Sequence, residues 1–162
     1  MTNLQFFIKR WSEEFPVFVR VLKALPQEKL DYRPHPRSRS AAELLSLLVT
    51  EEQTSSEMLD TGQINWQEPA PASQLSQAVQ SFEKAHQELE NRLKKLDETN
   101  WEKKKAKLVV GGQAVLEETF ADMLWMTFFD MIHHRGQLST YIRPMGGKVP
   151  SIYGPSADDM GM

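Results

Sequence analysis

Residues 115–143 read VLEETFADMLWMTFFDMIHHRGQLSTYIR, and this stretch decides the fold. Met123, Leu124, Trp125, Met126, Phe128, Phe129, Met131 and Ile132 make it apolar on nearly every side. A helix of that kind is normally surrounded by other helices. The pattern predicts a helix from about 115 to 143, stopped by Pro144, whose ring disfavours helical geometry in the residue before it.

Three further helical patterns lie upstream to do the surrounding. Over residues 3–25, Leu4, Phe7, Ile8, Trp11, Phe15, Phe18, Leu22 and Leu25 recur every three or four positions and line one face. Pro16 falls inside this run and is expected to kink or interrupt it, since it lacks an amide donor. A second helix opens at Ser40-Ala41-Ala42-Glu43, a capping box. There the Ser40 hydroxyl accepts from the Glu43 amide and Glu43 reaches back to the Ser40 amide. It continues through Leu44, Leu45, Leu48 and Val49 to about Leu59 and stops at Gly62. A third covers about 73–96, with Leu75, Val79, Phe82, His86, Leu89, Leu93 and Leu96 as its stripe.

The rest reads as connections. Residues 26–39 form a Pro-rich linker and 63–72 a loop. Residues 97–112 are less regular, with a short extended piece from Lys107 and a turn at Gly111-Gly112. The tail from Arg143 to Met162 is rich in Pro and Gly and is expected to be irregular. Together these elements predict an all-α single domain over 1–162, a four-helix bundle with an irregular C-terminal tail.

Composition narrows the function. The chain has 162 residues, a net charge of −3 and no cysteine. The charge gives no general attraction to a phosphate backbone, so nucleic acid is not an expected partner. The missing cysteines exclude disulfides, thiolate metal sites and cysteine nucleophiles, and are compatible with a cytoplasmic location. No apolar stretch reaches the ~18 residues of a membrane span, and the N-terminal apolar run is too short for a signal peptide.

Polar groups break the apolar surface of the last helix in one place. Thr127, Asp130, His134 and Gln137 share a face, and Asp130 and His134, one turn apart, can both point at one ion. His133 lies about 100° round the helix and cannot comfortably join them. The plainer alternative is a buried, hydrogen-bonded Asp–His couple. Gly136 in the helix interior costs ~1 kcal/mol relative to Ala, which close approach of a helix or ligand would explain. His86 reads as a partly buried core residue and His35 as exposed. Arg33, Arg37 and Arg39 read as partners of neighbouring helix ends.

His133-His134-Arg135-Gly136-Gln137-Leu138 resembles the closing-helix motif of the DinB-like proteins, the DNA-damage-inducible family of DinB/YfiT-like metalloenzymes. Asp31-Tyr32-Arg33-Pro34-His35-Pro36-Arg37, running on through Ser40 to Leu44, looks like that family's lead-in to its second helix. Val149-Pro150-Ser151-Ile152-Tyr153-Gly154-Pro155-Ser156-Ala157-Asp158 is similar to the tail of one subgroup. The resemblance spans most of the chain. It implies an up-down-down-up helix order, commonly a homodimer, and a divalent metal, nickel or zinc, held by three histidines. One histidine comes from helix two and two, four residues apart, from the last helix. Some relatives are thiol-dependent S-transferases or isomerases that use low-molecular-weight thiols such as bacillithiol or mycothiol.

Carried onto this chain, the last ligand falls on His134 and the one before it on Asp130. The helix-two ligand falls on Leu47, which cannot bind a metal. Glu51, one turn further on, is the candidate replacement. Thr127, His133 and Gln137 would line the pocket or support the ligands. Two readings follow. One is a stress-associated, non-catalytic bundle with a degenerate site and no metal, able to accept a small molecule between its helices. The other is a divalent-metal-dependent enzyme using Asp130 and His134, with the ion activating a thiol or water.

Overall fold

The structure, a computed structural model, describes residues 1–161. Four long helices dominate it: α1 (Asn3–Lys23), α2 (Ala41–Thr61), α3 (Leu75–Leu93) and α5 (Phe120–Ile142). The short α4 (Glu98–Lys103) precedes the last of them, and the described residues also form a 3-10 turn (Gln27–Lys29) and three strands: β1 (Gln63–Trp66), β2 (Lys105–Val110) and β3 (Gln113–Thr119). Helix α2 packs against α3 and α5, and α1 packs against the same two. Among the described residues, no helix is long and apolar enough to cross a membrane.

The helix starts follow local chemistry. The Ser40 capping box forms as expected: the Glu43 amide donates to Ser40 Oγ at 3.2 Å and the Ser40 amide to Glu43 Oε2 at 2.5 Å. Gly62 ends α2 in the left-handed region at φ +72°, which a side chain would resist. Pro16 does not interrupt α1, which is continuous. Buried Phe7 and Trp11 before it, and Phe18, Val21 and Leu22 after it, hold both halves on one core, so packing outweighs the lost backbone hydrogen bond.

The all-α expectation is corrected by the sheet, whose order is β1-β2-β3. Strand β1 pairs parallel with β2, from Gln63 opposite Lys107 to Trp66 opposite Val110. Strand β2 pairs antiparallel with β3. The extended piece and the Gly111-Gly112 turn form as the sequence indicates, and both glycines have positive φ, +58° and +80°, as a tight hairpin requires. That turn folds residues 113–119 back onto β2, so the last helix begins at Phe120 rather than near 115. Thr119 marks the boundary: its Oγ1 accepts from the Asp122 amide at 3.1 Å.

Residues 97–112 also supply a core anchor. Trp101 is fully buried, its ring centroid 5.1 Å from that of Phe7, and its Nε1 donates to Asn3 Oδ1 at 2.9 Å. The sheet and α5 together shape the site described next. Helix α5 is not enclosed by helices on all sides, because Met126 and Phe129, 44% and 62% exposed, face a cleft beside the sheet.

Candidate functional site

A cleft of about 610 Å³ lies between α2, α5 and the β1–β2 strands. Its wall is largely apolar: Leu47 from α2, Ile64 and Trp66 from β1, Leu108 from β2, and Met123 and Phe129 from α5. Polar groups gather where α2 meets α5. Ligand atoms of Glu51, Asp130 and His134 lie within 4.8 Å of one another. His134 Nε2 is 3.4 Å from Asp130 Oδ2 and 3.8 Å from Glu51 Oε1.

The helices set this geometry simply. Asp130 and His134 are one turn apart on α5, so their side chains stack on one face. Glu51 is one turn beyond Leu47 on α2 and points into the same cleft. His134 Nδ1 lies 3.0 Å from Gln137 Oε1, one turn on. With that oxygen accepting, Nδ1 carries the proton and Nε2 keeps its lone pair for the carboxyl groups or for an ion.

Glu51 is the unusual member. It is only 5% exposed, and among the described residues its Oε2 is buried without a hydrogen-bond partner. Burial, and then the neighbouring Asp130 carboxyl, push its pKa up to about 9. A buried oxygen without a partner costs about 1–3 kcal/mol unless something else binds it. A divalent cation is such a partner. Three donors, two oxygens and one nitrogen, leave open positions on an ion of the kind catalytic sites use.

The other residues read from sequence are distributed as follows. Leu47 is buried in the cleft wall beside the donors. Thr127 lines the cleft, but its hydroxyl donates to Met123 O at 3.0 Å within its own helix and does not support the donors. His133 is exposed at the rim, its ring 5.3 Å from that of His134. Gly136 is not a point of close approach, since an added Cβ would meet no atom within 4 Å among the described residues. Arg33 pairs with Glu43 at 3.2 Å, and Arg39 pairs with Glu68. His35 is exposed, as expected.

Two polar clusters escaped the sequence reading. The buried Arg135 donates to Glu14 and, at 2.5 Å, to the Tyr153 hydroxyl. Its guanidinium lies 4.6 Å from the Phe18 ring centroid and 5.2 Å from that of Tyr153. This places Arg135 as the anchor that pins the C-terminal tail to α5, a structural role inside the His-His-Arg-Gly-Gln string. The second cluster joins His86 to Glu52, the residue after Glu51, and stands apart from the cleft on the α1–α3 side. His86 is buried as expected, with its Nδ1 2.8 Å from Glu52 Oε1.

Comparison with known proteins agrees with this architecture. A family model described as the DinB family matches residues 1–161. The fold is similar to a DinB-like protein from Bacillus cereus, with a TM-score of 0.73 and 16% identity, over 91% of this chain and 95% of that one. It is also similar to a DinB-like protein from Bacillus subtilis, with a TM-score of 0.67 and 19% identity, over 86% of this chain and 92% of that one. No curated protein matches the sequence. Matched along nearly its whole length, the chain belongs to the DinB family.

Proposed function

We propose that this DinB-family chain holds one divalent metal ion between Glu51, Asp130 and His134, and that the ion serves a metal-dependent reaction on a small molecule in the cleft. The single observation carrying this is Glu51 Oε2, buried and unpartnered among the described residues, beside an Asp–His pair whose Nε2 is 3.8 Å from its sister oxygen. Glu51 takes the role that the helix-two histidine has in the resemblance, where Leu47 now stands. Exchanging two imidazoles for two carboxylates moves the donor set toward harder ions such as manganese, while zinc still accepts carboxylate oxygens. When bound, the ion would lower the pKa of a coordinated water or thiol. The residues prepare for that step: Gln137 orients His134, Glu51 is buried, and the half-exposed Asp130 leaves the donors open to solvent and ligand on one side.

A second reading, a ligand-binding protein without metal, has one observation of its own. At a pKa of about 9, Glu51 keeps its proton at neutral pH, so a proton between two carboxyl groups can stand where an ion would. Metal content separates the readings. The protein purified without a histidine tag is expected to bind zinc or manganese at one ion per chain, and His134→Ala is expected to bind none. Absence of metal after incubation with excess ions would leave the second reading.

Homodimerisation, as in the resemblance, is proposed on a separate observation. Phe6 and Trp125 form an aromatic pair on the α1–α5 face, with centroids 5.9 Å apart and the Phe6 ring exposed. Sedimentation is expected to give twice the chain mass at micromolar concentration, and a monomer there refutes it. An up-down-down-up order of the long helices belongs to the same proposal.

A further inference from the structure

Resting on the cleft as the binding site, we propose that its ligand is an uncharged, largely apolar small molecule that offers one neutral donor atom to the Glu51–Asp130–His134 end. A charged thiol or other anion is disfavoured. The argument is charge balance. The residues lining the cleft include one permanent cation, Arg39, and Glu68 already engages it: Glu68 Oε2 accepts from Arg39 at 3.3 Å, and Oε1 accepts from a second guanidinium nitrogen. At the donor end, two carboxylates cancel the two charges of a divalent ion. Three neutral imidazoles would leave both charges available to a thiolate. Without the ion, the two carboxyl groups contribute only zero or negative charge. In neither state do Arg39 and the two carboxyl groups leave positive charge over for an anion, and desolvating an unpaired anion costs several kcal/mol.

The walls point the same way. Val110, Met126 and Phe129 are large apolar side chains left exposed, and all three line this cleft. Exposed apolar surface rimming a polar centre is a mark of a ligand site. The volume of about 610 Å³ falls within the range of small-molecule pockets. A ligand with an apolar body would cover these three residues and present its polar end to the donors.

The test compares octanamide with octanoate, which share a chain and differ in charge, by calorimetry on zinc-treated and chelator-treated protein. Octanamide is expected to bind about tenfold tighter than octanoate in both preparations. Glu68→Gln, at an exposed position, leaves Arg39 without its partner and is expected to raise octanoate to near parity. Met126→Ser with Phe129→Ser is expected to weaken octanamide about tenfold. Octanoate binding as tightly as octanamide in the parent overturns the proposal. So does binding of neither probe, or octanamide binding indifferent to Met126 and Phe129. Because the preference is read in chelator-treated protein as well, failure to bind zinc removes the metal reading and leaves this result standing.

Discussion

Glu51→Gln is expected to make the metal-free protein more stable at neutral and alkaline pH while sharply weakening its metal binding. The carboxyl group has a pKa near 4.5 in the unfolded chain and about 9 in the folded one. Its folded value is raised, so the folded state binds the extra proton. The stability it contributes is therefore fully present below about 4.5 and is lost as pH rises toward about 9. The slope over that window reaches about 1.4 kcal/mol per pH unit. Glutamine copies the shape of the protonated acid, donates to Asp130 from its amide, and does not titrate. At about pH 5 parent and variant should have similar stability, and at about pH 8 the variant should gain ~2 kcal/mol or more. Urea denaturation at the two pH values measures both. A variant that is less stable than the parent at the higher pH defeats the prediction.

The same proton governs the metal. An ion that binds Glu51 must displace it, so apparent affinity should rise about tenfold per pH unit up to about 9. Glu51→Gln removes a charged donor and should weaken binding more than about a hundredfold, beyond the usual cost of losing a supporting hydrogen bond. A variant can lose its ligand merely by unfolding. Here the loss of metal comes with a gain in stability, and those opposite signs distinguish a site from a scaffold residue.

How much of this was legible in the sequence depends on whether the determining contact was local. The Ser40 box, the Gly62 stop and the Asp130–His134 spacing are set within one or two turns, and each appears where the residues indicate. Thr119 and Asp122 were an equally local signal for the start of α5. They were masked by the apolar run that continues from β3 into the helix, since VLE at 115–117 suits either state. Strand β1, four residues long, forms only because β2 arrives from far along the chain to pair with it. Half the apolar side chains of the cleft wall depend on that pairing, so the pocket was invisible even where its polar end was plain. Glu51 was reachable as one turn from Leu47. Its orphaned oxygen was not, because burial on α2 is decided by α5 and the sheet.

Glu52 makes the same point with larger energetic consequences, and His86→Ala is expected to destabilise the protein by about 3–5 kcal/mol. Glu52 is 1% exposed. Its Oε1 meets His86 Nδ1 at 2.8 Å, and its Oε2 accepts from Trp11 Nε1 at 3.4 Å. The His86 ring is stacked between Trp11 and Phe15, 3.7 Å from each centroid. Burial raises the Glu52 pKa, and the bonds from His86 and Trp11 hold it back down. Removing the imidazole takes away the stronger of those bonds and empties the slot between two rings. The buried carboxyl is then left with one long bond, and its pKa rises further. A raised folded value again means stability lost with rising pH, so the deficit of His86→Ala should be larger at about pH 8 than at about pH 5. Replacing both members, Glu52→Leu with His86→Phe, removes the uncompensated carboxyl and refills the slot, and should recover most of the loss. Denaturation of the parent, His86→Ala and the double variant at both pH values reads the whole set. A single variant as stable as the parent would mean that the pair contributes nothing. A double variant no better than the single would mean that neither the stranded carboxyl nor the empty slot accounts for the loss. Because the cluster faces α1 and α3 rather than the cleft, the double variant should bind metal as the parent does.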